Sequence, residues 1–94
     1  MANKQRRLQD LVSVGPAIQR DFEMLGITSV AQLAKRNPER LYEQLCSITG
    51  CAVDVCCLDV FRAAVAQARD PRLPAAQCNW WYWSRQRKGH KARG

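Results

Sequence analysis

Glycine and proline cut this chain into pieces that short helices fill best. Breaks fall at Gly15-Pro16, Gly26, Asn37-Pro38, Gly50 and Asp70-Pro71, and apolar residues between them recur at helical spacing. Proline suits the first position of a helix, so Pro16 marks a start. Ile18, Phe22 and Leu25 follow at i, i+4 and i+7 on one face, and Gly26 suits the position just past the helix end, with Ile27 folding back. Upstream, Leu8 and Leu11 give residues 4–11 the pattern of a short first helix. Val12-Ser13-Val14-Gly15 interrupts it, and Gly15 is the expected point of the bend, because glycine tolerates backbone angles and close approaches that other residues resist. The unit reads as helix, tight hairpin, helix.

The same signals recur downstream. Ser29 with Gln32 three residues later is a capping box opening a short helix through Val30, Leu33 and Ala34. Asn37-Pro38 starts another, carrying Leu41, Tyr42 and Leu45 inward and expected to end near Cys46, with 47–50 as a tight connection. Asp54 caps a longer helix whose inner face is Leu58, Phe61, Val65 and Ala68. Its outer face offers Asp59 and Arg62 as a surface pair, and Asp70-Pro71 ends it. No segment alternates at strand length and no turn carries a hairpin signature of strands. The expected fold is all-α, a compact bundle of about five to six short helices over residues 1–86, followed by a basic flexible tail over 87–94.

At 94 residues and 47% hydrophobic, the chain forms one small domain with a modest core. No apolar run approaches the ~18 residues a membrane helix needs, and Met1 to Arg7 leads into an amphipathic stretch, unlike a signal peptide. These features predict a cytoplasmic protein with no membrane partner.

Charge is unevenly placed. Residues 1–70 hold nine basic and eight acidic side chains, whereas 71–94 hold Arg72, Arg85, Arg87, Lys88, Lys91 and Arg93 with no acid. A near-neutral body with a cationic arm suits a polyanion, above all nucleic acid, through counterion release.

Five cysteines, at 46, 51, 56, 57 and 78, are odd in number and have no export signal beside them, so a disulfide framework is not expected. Their spacing lacks the two separated ligand pairs of a zinc finger, and the adjacent Cys56 and Cys57 point about 100° apart on a helix. Packed free thiols, with no metal and no cofactor, are the expectation. Catalysis finds no footing either. The single histidine, His90, lies in the tail, and the acid pairs Asp21/Glu23 and Asp54/Asp59 diverge on a helix, so the chain is expected not to be an enzyme.

The hairpin carries more promise. A turn before a helix N-terminus presents free N–H groups reinforced by the helix dipole. Val14 and Gly15 form the turn, Ala17 and Ile18 supply donors, and Gln19 or Arg20 can add a side-chain contact. Backbone donors see phosphates and not bases, so binding of this kind ignores sequence. A second candidate is Trp80-Trp81-Tyr82-Trp83, abutting Arg85, Arg87 and Lys88. Aromatic faces stack on unpaired bases while cations hold the backbone. At helical spacing Trp80 and Trp83 share a face and are expected in the core, leaving Trp81 or Tyr82 to point outward for stacking or for a protein interface.

The stretch 11–18 with Leu25-Gly26-Ile27 resembles the helix-hairpin-helix motif of DNA repair proteins, with Gly15 at its second glycine and Ser13 in place of the first. Asp59 to Val65 and the block Cys78-Asn79-Trp80-Trp81-Tyr82-Trp83-Ser84-Arg85 resemble the bacterial pathogenicity locus family, some of whose members are labelled mitomycin-resistance proteins. That similarity covers roughly residues 8–88. It implies a helix-hairpin-helix (SAM-like) domain and, by analogy, non-sequence-specific DNA binding in repair or competence. The alternative is a protein–protein interaction module that uses the Trp/Tyr cluster and does not touch nucleic acid.

Overall fold

The computed structural model describes residues 7–50 and 53–93, with side chains to Arg87. Among the described residues the chain is all helical. A 3-10 turn over Leu8–Asp10 precedes α1 (Pro16–Met24), α2 (Val30–Ala34), α3 (Pro38–Thr49), α4 (Cys56–Arg69), α5 (Ala75–Cys78) and α6 (Trp80–Arg93). The Cα radius of gyration is 13.3 Å, close to the ~12 Å of a compact chain this long.

Three helices start where a local side chain takes up free amides. Ser29 Oγ accepts from Gln32 N–H at 3.1 Å, and Asn37 Oδ1 accepts from Glu39 N–H at 2.9 Å, so α2 and α3 open on their side-chain caps. Asp54 Oδ1 does the same for Cys56 N–H at 2.9 Å, and this bond lowers the Asp54 pKa below its ordinary value. The end of α1 is equally determined. Gly26 takes φ +78°, its N–H donates to Glu23 O and the N–H of Ile27 to Phe22 O, which closes a Schellman turn and drops Ile27 fully into the core.

Helix α4 is the axis of the molecule and lies against α2, α3 and α6. Its Phe61 stacks on Phe22 of α1 with ring centroids 5.5 Å apart, and Leu33, Leu41, Leu45 and Val65 close around them. Burying a side chain of this size contributes ~1.5–3 kcal/mol. Tyr42 hands its hydroxyl hydrogen to Val53 O and ties the approach to α4 onto α3.

Three expectations are corrected. The described part of the first helix is a single 3-10 turn, which two apolar residues can anchor but not extend. Helix α3 does not stop near Cys46. It runs to Thr49, whose hydroxyl donates to Leu45 O at 3.0 Å, and ends at Gly50 with φ +74°. Asp59 is not on the surface: its side chain is fully buried and gripped by Arg87 of α6, while Arg62 pairs with Glu39 at 2.7 Å. No helix among the described residues is long and apolar enough to cross a membrane.

Candidate nucleic-acid interface

The turn between Leu11 and Pro16 is built from both ends. Leu11 and Val14 are buried in the core, Val14 N–H closes onto Leu11 O at 3.3 Å, and of the two residues between them Val12 is exposed and Ser13 half-buried. The bend falls on Ser13, with φ +73°, and not on Gly15, which is extended at φ −96° and ψ −174°. A serine thus holds the left-handed conformation that usually goes to glycine, at a cost of about 1–2 kcal/mol. Its hydroxyl returns part of that, accepting from the N–H of Trp80, the first residue of α6, at 3.2 Å.

Gln67 on α4 fixes the same turn. Buried in the core, its amide pairs with Val12 as a second peptide group would: Oε1 accepts from Val12 N–H and Nε2 donates to Val12 O, both at 2.9 Å. The same Nε2 lies 3.3 Å from Cys78 O, at the end of α5. One glutamine therefore sets the hairpin relative to α4 and to the start of α6. Sequence reasoning had no means of finding it, because 55 residues separate Gln67 from Val12.

The outcome is a helix start with open amides. No side chain caps α1, and the N–H groups of Gly15, Ala17 and Ile18 have no partner among the described residues. A Cβ built on Gly15 meets nothing within 4 Å, so the position itself is uncrowded. Ala17 and Arg20 are exposed, Gln19 is half-buried, and Arg20 makes no ion pair among the described residues. Val14, expected in this interface, has its side chain in the core and its N–H on Leu11 O.

The aromatic block divides differently from expectation. Trp83 is half-buried, its indole N–H donating to Gln77 O at 2.8 Å, and Tyr82 meets it edge to face at 5.3 Å. Trp81 is 40% exposed, as expected of an outward ring, with the Arg85 guanidinium over it at 4.5 Å. Trp80, expected in the core beside Trp83, is 38% exposed. Helix α6 docks on α4 through buried Ser84 and Arg87, and Trp80 lies a turn before that contact, at the end where α4 stops. Arg87 is committed to Asp59, and the side chain of Lys88 lies outside the described residues.

Cys46, Cys56, Cys57 and Cys78 are half-buried free thiols, and Cys51 lies outside the described residues. Among the described residues no three metal-binding groups converge. Burial, reinforced by nearby Asp21, pushes the Cys57 thiol up to about 12. Little reactive thiolate then exists at neutral pH. Native protein treated with iodoacetamide at pH 8 is expected to modify Cys57 at least tenfold more slowly than urea-unfolded protein, as read by peptide mass spectrometry. Because the folded pKa is raised, the thiol's contribution to stability is complete below the ordinary value near 9. It is lost as pH climbs toward about 12.

The family described as "Pathogenicity locus" matches residues 1–89. A mitomycin resistance protein, McrB of Streptomyces lavendulae, is 43% identical over 81 residues, covering 86% of this chain and 73% of that one. No solved structure matches.

Proposed function

The chain belongs to the pathogenicity locus family, and on that footing we propose that it is a DNA-binding module of helix-hairpin-helix type, without sequence preference and without catalysis. One observation carries this reading: the N–H groups of Gly15, Ala17 and Ile18 stand at a helix start with no partner among the described residues. A DNA phosphate supplies the missing acceptors and the charge that the helix dipole favours. Arg20 adds a cation beside it, and the acid-free stretch 71–94 adds long-range attraction. The relative named for mitomycin resistance fits a protective role in repair or competence, and that role is part of the proposal.

Fluorescence anisotropy with duplexes of several unrelated sequences tests it. Affinity is expected to be similar across sequences and to fall linearly on a log–log salt plot. Arg20→Ala is expected to weaken all of them alike and to reduce the salt slope by about one. Absence of salt-sensitive binding at micromolar protein rejects the reading. The exposure of Trp80 and Trp81 favours one competitor, an interface anchored on these rings. On that reading the chain binds a protein partner, and DNA leaves it unchanged.

A further inference from the structure

We propose that Trp80 and Trp81 form a stacking platform for unpaired DNA bases, so that the protein prefers DNA in which duplex gives way to single strand. This rests on the phosphate-binding reading of the hairpin and specifies its substrate. The two indoles are the largest side chains that the fold leaves more than a third exposed, and they are neighbours in sequence and at one end of α6.

That end is not independent of the hairpin. Trp80 N–H is bonded to Ser13 Oγ, two residues before Gly15, and Gln67 holds both Val12 and Cys78. The platform and the open amides are therefore presented by one rigid unit. The bond from Trp80 N–H to Ser13 Oγ sets the first turn of α6 against the turn that leads to the Gly15 amide.

The chemistry around the rings selects the occupant. Arg85 stacks over Trp81 and fixes its plane, and it has no acidic partner among the described residues. From Pro71 to Gly94 no Asp or Glu side chain stands to repel a phosphate. An apolar face beside a cation with no acidic partner among the described residues is what a base with its backbone requires, since the base stacks and the cation meets the phosphate. Within a duplex the base faces are already covered, and exposing one costs unstacking. Unpaired bases are offered free of that cost, and this difference is the source of the preference.

The test uses the full chain and three labelled probes of equal nucleotide count: a blunt duplex, a duplex with a single-stranded extension, and a single strand. At 0.15 M salt the extended duplex is expected to bind about tenfold or more tightly than the blunt one, because losing a stacking ring generally costs about five- to a hundredfold in affinity. Trp80→Ala/Trp81→Ala is expected to erase most of this preference while changing blunt-duplex affinity much less. Arg20→Ala lowers binding to both probes and keeps their ratio. Should the double variant unfold in a circular-dichroism melt, wild-type tryptophan fluorescence gives an independent reading: strong quenching by the extended probe and little by the blunt duplex at equal saturation.

Equal affinity for extended and blunt probes, with salt-sensitive binding intact, overturns the platform and leaves the hairpin reading standing. Retention of the preference in a folded double variant overturns it as well and turns the rings over to a protein interface. Failure to bind any probe removes both readings together.

Discussion

Arg87→Ala is expected to lower the stability of the fold by about 3–5 kcal/mol, the usual cost of leaving one partner of a buried ion pair alone. The Asp59 side chain has no exposed surface, and Arg87 is 19% exposed. The guanidinium meets the carboxylate through three contacts, Nε at 3.2 and 3.3 Å and Nη2 at 2.9 Å. Those bonds hold the Arg87 pKa above its already high ordinary value. Truncation strands a carboxylate inside the α4–α6 contact, where water does not reach it. In a domain whose total stability is on the order of 5–15 kcal/mol, the melting temperature falls by roughly 10–40 °C. Arg87→Lys recovers little, because an ammonium cannot reproduce the fork. Asp59→Leu with Arg87→Met recovers most of the loss, because neither charge is then buried. Thermal and urea unfolding of the three variants measures these differences. A loss below about 1 kcal/mol in Arg87→Ala means that α6 docks on α4 without need of the pair.

Why this pair escapes a reading of the sequence is instructive. Helical starts and stops are written locally: Pro16, Ser29 and Asn37-Pro38 each determine a start within four residues, and Gly26 with Ile27 determines an end. The core faces of α1 and α4 are equally local, since Phe22, Leu58, Phe61 and Val65 follow the helical period. Asp59, three residues before Arg62, has the spacing of an ordinary surface pair, and only the docking of α6, 28 residues on, makes it the buried anchor. The candidate site divides in the same way. Open amides at Ala17 and Ile18 follow from a helix start lacking a capping side chain, which the sequence displays. That Ser13, and not Gly15, makes the bend depends on Trp80 and Gln67 reaching it from far along the chain. The exposure of Trp80 belongs to the same class, because spacing gives the face of a helix but not where its partner helix ends.

Gly15→Asp is expected to move stability and DNA binding in opposite directions. At φ −96° the position is open to any residue, and a Cβ there meets nothing. An aspartate at this N-cap can accept from the free N–H of Ala17 or Ile18 and place its charge at the positive end of α1. The fold should gain about 0.5–1 kcal/mol, read as a higher melting temperature. The same carboxylate occupies the acceptor position of a phosphate and repels one nearby. Losing one or two charge-assisted hydrogen bonds, at about 1.5–3 kcal/mol in all, weakens DNA binding at least tenfold, alike for every sequence. Gly15→Asn separates the causes: it caps the same amides without the charge, so its affinity falls between wild type and the aspartate variant. Gly15→Ala leaves the amides free and tests the space alone, with the smallest loss of the three. If the aspartate variant is more stable yet binds duplex DNA as tightly as wild type, the phosphate does not sit on the α1 amides. The affinity would then belong to the side-chain cations, those of residues 71–94 among them.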